Sequence, residues 1–190
     1  REPASIGSCI RLLGNPYVLT MVIGIFIVVG IDVAINSNIG TFLSRKLGVG
    51  QEAAKYAKSV YFLAKMVGTF TGALLLTRIN PRKFFLGSGI LLALALIALV
   101  LTPSEKSAWV IVFIISLGAS NIFPLIFSIT VGDMPDRANE ISGLMMMAIS
   151  GGAPIPFLVG YFMALTINGG ILFLLLCTLY LIFIAYRSLR

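Results

Sequence analysis

Gly30-Ile31-Asp32-Val33-Ala34-Ile35-Asn36-Ser37-Asn38 is a polar interruption inside an apolar run from about Tyr17 to Phe42. At 1.5 Å per residue, such a run is long enough to cross a hydrocarbon core of roughly 30 Å. Asp32 stands only a few residues past its middle, where an ionised carboxylate costs about 2.5–3.5 kcal/mol on insertion scales. A chain keeps such a group when it faces a partner or a wet cavity. Asp32 and Asn36 are four residues apart and share a helical face, whereas Asn38 points elsewhere. Two readings are open: a polar pair that packs helices together, or the lining of a solute pathway.

The rest of the composition says which kind of protein surrounds this stretch. Of 190 residues, 58% are hydrophobic and 11% are charged, more apolar surface than a soluble domain can hide. A polytopic membrane protein is expected, with lipid as its surroundings. The formal charge of +7 falls mainly at the ends of apolar runs, where Lys and Arg set topology, so nucleic acid is not an expected partner. Cys9 and Cys177 suggest neither a disulfide framework nor a metal site. The chain has no histidine, which removes Ser–His and Cys–His catalysis and His-ligated metals. No catalytic residue, metal or cofactor is expected. An intramembrane enzyme is the weakest reading, because Asp32 lacks a second acid on its own span.

Six apolar spans can be read: about Tyr17–Phe42, Tyr56–Thr77, Phe84–Leu101, Ala108–Val131, Ile141–Leu165 and Ile171–Tyr186. Lipid forbids unpaired backbone groups, so the spans are expected as helices and the polar breaks as turns. The expected fold is therefore all-α, with residues 1–16 a cytoplasmic lead-in and 17–190 a six-helix transmembrane bundle. Six crossings place both termini on one side. That side collects Arg1, Arg11, Arg78, Arg82, Lys83, Arg137, Arg187 and Arg190, against Arg45, Lys46, Lys55, Lys58 and Lys106 on the other. The bias favours cytoplasmic termini. The chain starts at Arg1 with no signal pattern before the first span, which reads as a processed chain or a piece of a longer one.

Within the bundle, Gly68 and Gly72 form a GxxxG on the second span, and Gly152, Pro156 and Gly160 recur every four residues on the fifth. Ser150-Gly151-Gly152-Ala153-Pro154-Ile155-Pro156 must loosen or break that fifth helix. Gly151, Gly152, Pro154 and Pro156 are the candidate hinge, and Ser150 a candidate lining residue; a plain kink is the alternative. Ser37-Asn38-Ile39 on the first span recurs as Ser120-Asn121-Ile122 on the fourth, as three spans repeated as three would require.

Lys65 is the second intramembrane charge. It lies just before the middle of the second span, so antiparallel packing puts it at a depth similar to Asp32. Either the two pair, or Lys65 snorkels to the outer interface. On the fourth span Ser116 and Ser120 share a face, with Asn121 beside them and Phe123, Pro124 and Phe127 beyond. Hydroxyls, amides and aromatic faces suit a neutral polyhydroxylated solute, and interhelical hydrogen bonding explains them equally well.

The turn after the second span reads Gly72-Ala73-Leu74-Leu75-Leu76-Thr77-Arg78-Ile79-Asn80-Pro81-Arg82-Lys83. A glycine followed by a short basic turn at this place resembles the C-terminal half of a major facilitator superfamily transporter. Thr77 stands where that motif has an acid and Asn80-Pro81 where it has a glycine, so only the basic part, Arg78, Arg82 and Lys83, carries over as a cytoplasmic gating loop. Val29 to Ile35, Ser120 to Phe127 and Ser142 to Ala153 are similar to the fucose/glucose/galactose proton-symporter group. That resemblance implies two inverted three-helix repeats and a hexose or deoxyhexose symporter working by alternating access in a bacterial inner membrane. It also implies an N-terminal six-helix half as partner, with a proton rather than sodium as coupling ion. The group tends to carry an acid where Asp32 stands. The lining residues expected on this basis are Asn36, Asn38, Ser116, Ser120, Asn121 and Ser150. The rival is a free-standing six-helix protein that oligomerises into a carrier or channel.

Overall fold

Asn15 and Pro16 set where the longest helix begins. The Asn15 side-chain oxygen accepts from the Tyr17 amide at 2.9 Å, and Pro16 takes a first-turn position that needs no donor. The computed structural model describes residues 6–189; Arg1 and Arg190, counted above among the cations, lie outside the described residues. A short helix α1 (Ile6–Leu13) precedes α2 (Pro16–Leu47), which runs unbroken past Asp32. Gly48 ends it with φ +68°, a left-handed cap that glycine adopts without strain. α3 (Gln51–Leu75) follows, and Asn80 then caps α4 (Pro81–Leu101) as Asn15 caps α2, accepting from the Arg82 amide at 2.9 Å.

The fourth expected span is two helices, α5 (Glu105–Ala119) and α6 (Ile122–Asp133), where the sequence reading had one. Pro124 explains the interruption: its ring meets the carbonyl four residues back, at Ser120, and it brings no N–H to bond it. The fifth span breaks where its prolines require. α7 (Ala138–Ala148) gives way to a 3-10 turn at Ile149–Gly152, and α8 (Pro154–Leu165) starts on Pro154. α9 (Gly169–Ser188) closes the bundle.

Among the described residues the protein is all-α. Five stretches are long and apolar enough to cross a membrane: Pro16–Leu47, Pro81–Leu101, Glu105–Asp133, Pro135–Leu165 and Gly169–Ser188. α3 is the exception, because Glu52, Lys55, Lys58 and Lys65 dilute its apolar residues. It nevertheless packs lengthwise between α2 and α5.

α2 is the central element, contacting α3, α6, α7, α8, α9 and the 3-10 turn before α8. Its buried stripe runs Val18, Met21, Ile25, Val28, Ile31, Ile35 and onwards. Between helices in lipid there is no hydrophobic reward for apolar contact, so close packing has to come from shape. Gly151 is the tightest case: it lies against the Phe26 carbonyl of α2 and leaves no room for a side chain.

Candidate functional site

The antiparallel course of α2 and α3 brings their mid-helix charges to one height. Lys65 Nζ lies 2.6 Å from Asp32 Oδ2, with the two side chains 32% and 27% exposed. The other oxygen, Oδ1, accepts from the Tyr61 hydroxyl at 2.6 Å, and Tyr61 itself is fully buried. Lys65 therefore does not snorkel away. The sequence reading missed Tyr61; its position one turn before Lys65 on the same face was the signal available.

Tyr61 is held from the other side as well. Its backbone carbonyl accepts from Ser116 Oγ at 2.5 Å, and about two turns further along α3, Asn121 Nδ2 donates to the Gly68 carbonyl and also to Ser120 Oγ, both at 2.9 Å. Ser116, Ser120 and Asn121 are buried in the α3–α5 seam. The Ser116 and Asn121 bonds run between helices, the packing role that the sequence leaves open for them beside a lining one. α3 offers Gly68 and Gly72, and the polar side chains of α5 and its end fill the space that two missing Cβ atoms leave. A Cβ on Gly68 would meet Ser120 Oγ at 2.5 Å, and one on Gly72 would collide with the Asn121 amide.

Asn36 and Asn38 are half-buried, and both turn their amide donors back on their own helix, to the carbonyls of Asp32 at 3.3 Å and Ala34 at 3.0 Å. The Asn36 side-chain oxygen is buried with no hydrogen-bond partner. Asn38 faces α8 near Gly160. Ser150 is exposed in the 3-10 turn, Gly152 lies beside Val29 and Val33, Pro154 is exposed and Pro156 half-buried. Towards the α2–α3 connection, Ser37, Thr41, Arg45, Gln51, Lys55 and Lys58 border an open groove. Its hydroxyl and cationic lining was not singled out from sequence.

Side-chain contacts tie both ends of the bundle. Where α2 and α4 begin, Arg82 pairs with Asp133 at the end of α6 and donates to the Ser188 carbonyl at the end of α9. Tyr17 adds its hydroxyl to Asp133 Oδ2 at 2.5 Å. Arg82 thus has an acid partner that its own loop did not supply, while Arg78 and Lys83 are exposed. At the opposite end Lys46 Nζ donates to the Leu99 carbonyl at 3.0 Å and to that of Val100, and lies 5.3 Å from the Phe42 ring centroid. A cation from a neighbouring helix caps a helix C-terminus in each case.

Antiparallel apolar helices, two of them broken, around a carboxylate–ammonium pair about one-third exposed define a multi-pass membrane domain. The Major Facilitator Superfamily profile matches residues 21–189, and the chain belongs to that superfamily of transporters, not to an enzyme family. A Helicobacter pylori protein named provisionally as a glucose/galactose transporter is 30% identical over 174 residues, which cover 88% of this chain and 42% of that one. The glucose/galactose transporter of Brucella abortus is 29% identical over 164 residues, 85% of this chain and 40% of its own. In fold, the chain is similar to the E. coli fucose:proton symporter FucP, with TM-score 0.87 at 19% identity over 97% of this chain and 46% of that one. FucP in an outward conformation gives TM-score 0.88. The chain spans less than half the length of these relatives.

Proposed function

We propose that this chain is the C-terminal domain of a secondary active symporter for a neutral hexose or deoxyhexose, working by alternating access against an N-terminal half. The single observation that carries the reading is the Asp32–Lys65 pair, two charges at mid-helix height that remain about one-third exposed. A pair used only for packing has no need of that exposure; a pair that must exchange partners with a solute or ion does. The names of the relatives support the sugar and the coupling. Asp32 and Lys65 are the ion-coupling pair, with a proton as the ion. Asn36, Asn38 and Ser150 are the candidates to line the pathway.

In this reading α3 is the sixth crossing, and α2–α4 and α5–α9 are two inverted three-helix units. Residues 17–190 form the domain, and residues 1–16 lead into it. Both termini lie in the cytoplasm of a bacterium and the bundle in its inner membrane. Gly151, Gly152, Pro154 and Pro156 are the hinge, and the Arg78, Arg82 and Lys83 loop is the cytoplasmic gate.

The test is uptake of radiolabelled glucose, galactose and fucose by the full-length protein in proteoliposomes, under an imposed proton or sodium gradient. Proton-driven accumulation that an uncoupler abolishes is expected. Asp32→Asn should lose accumulation while exchange of sugar across the membrane persists. No uptake of any of these sugars under either gradient would overturn the reading.

A further inference from the structure

Asp32 has two donors of unlike mobility. Lys65 reaches Oδ2 from a flexible side chain that is 32% exposed, whereas Tyr61 reaches Oδ1 from a ring with no exposure at all. The tyrosine cannot leave with a passing solute. Its ring is packed, and its own backbone carbonyl is held by Ser116 from α5. The lysine can leave, but in low dielectric a carboxylate stripped of its cation is the costly state. A donor that stays behind lowers that cost.

We propose that Tyr61 is a positioning residue that lets Lys65 leave Asp32. Its fixed hydroxyl keeps one charge-assisted hydrogen bond on Oδ1 while the ammonium turns to a solute hydroxyl, and Oδ2 is left for the ammonium's return. The proposal rests on the reading of Asp32 and Lys65 as an exchanging pair. It differs in assigning the exchange to a third, buried side chain on α3. Tyr61→Phe removes only the oxygen and keeps the ring that fills the seam. Lys65 should then be held more tightly, because releasing it would leave the carboxylate with no donor.

The experiment measures how fast Lys65 in the full-length protein, in its membrane, is acylated by a small N-hydroxysuccinimide ester. Mass spectrometry reads the product, with exposed Lys58 as the internal reference. Asp32→Asn, which releases the lysine, is expected to speed acylation. Tyr61→Phe is expected to slow it about tenfold, the factor set by one charge-assisted hydrogen bond. The opposite signs separate the two roles: a tyrosine that merely props the seam would, when cut back, loosen it and speed acylation. A rate in Tyr61→Phe equal to or above that of the parent overturns the proposal, as does an Asp32→Asn rate that does not rise. In uptake assays, Tyr61→Phe should lower the maximal rate and leave the half-saturating sugar concentration nearly unchanged. If the parent protein carries no sugar, the proposed function fails, and the acylation rates still decide the role of Tyr61.

Discussion

At the scale of single residues, partnership fixes what each polar side chain costs or contributes. Asp32 and Lys65 are each expensive alone and tolerable together, so removing one should hurt more than removing both. For a pair one-third exposed, Asp32→Leu or Lys65→Met is expected to cost about 1–3 kcal/mol, and the double variant to regain much of it. Thermal unfolding of the purified single and double variants checks this; a double variant no more stable than either single one would refute the coupling. Asn121 belongs to a different category. Its hydrogen bonds to Gly68 and Ser120 lie inside the α3–α5 seam. Asn121→Ala should therefore lower stability by about 0.6–1.7 kcal/mol and leave sugar affinity unchanged, as melting and binding assays on one preparation would report.

At the scale of elements, the broken helices rest against α2 at points where backbone meets side chain or backbone meets backbone. Gly151 faces the Phe26 carbonyl, which cannot move aside without displacing α2. Gly151→Ala is expected to cost at least about 1–3 kcal/mol, seen as a smaller monodisperse fraction on gel filtration. Gly87 on α4 is the control, since a Cβ there would meet nothing within 4 Å. Gly87→Ala should be neutral, or stabilising by up to about 1 kcal/mol through helix propensity alone. α3 adds a consequence for assembly. Too polar to qualify as a span by itself, it gains a partner for Lys65 from α2 and backbone bonds from α5. Its insertion should thus depend on Asp32: with Asp32→Leu in α2, glycosylation mapping of an acceptor site placed after α3 is expected to show a larger uninserted fraction.

At the scale of the whole molecule, the Arg82–Asp133 contact gathers the ends of α2, α4, α6 and α9 into one knot, and Lys46 fastens the opposite end to α4. Arg82→Ala should loosen the first end only. In a background lacking Cys9 and Cys177, a cysteine replacing Thr20 should react about tenfold faster with a thiol reagent applied from that side, the worth of one charge-assisted hydrogen bond. A cysteine replacing Ser44, near the other end, should not change. Equal acceleration at both positions would mean general unfolding instead of release of one end.

Much of this was legible in the chain itself. The helical class, the turn at Asn80-Pro81 and the break at Ser150 to Pro156 follow from hydropathy, caps and prolines, which act within a few residues of themselves. The depth match of Asp32 with Lys65 was legible too, because helix rise converts sequence offset into height. What the sequence left open were directions around the helix axis. Whether Lys65 met Asp32 or the interface, and whether Ser116, Ser120 and Asn121 faced a cavity or a neighbour, depended on how α3 is rotated against α2 and α5. That rotation is fixed by the hollows at Gly68 and Gly72, into which Ser120 and Asn121 fit. The acid for Arg82 lay 51 residues away, and Tyr61 found Asp32 across 29. Such partners are chosen by packing between distant segments, so only the tertiary structure decides them.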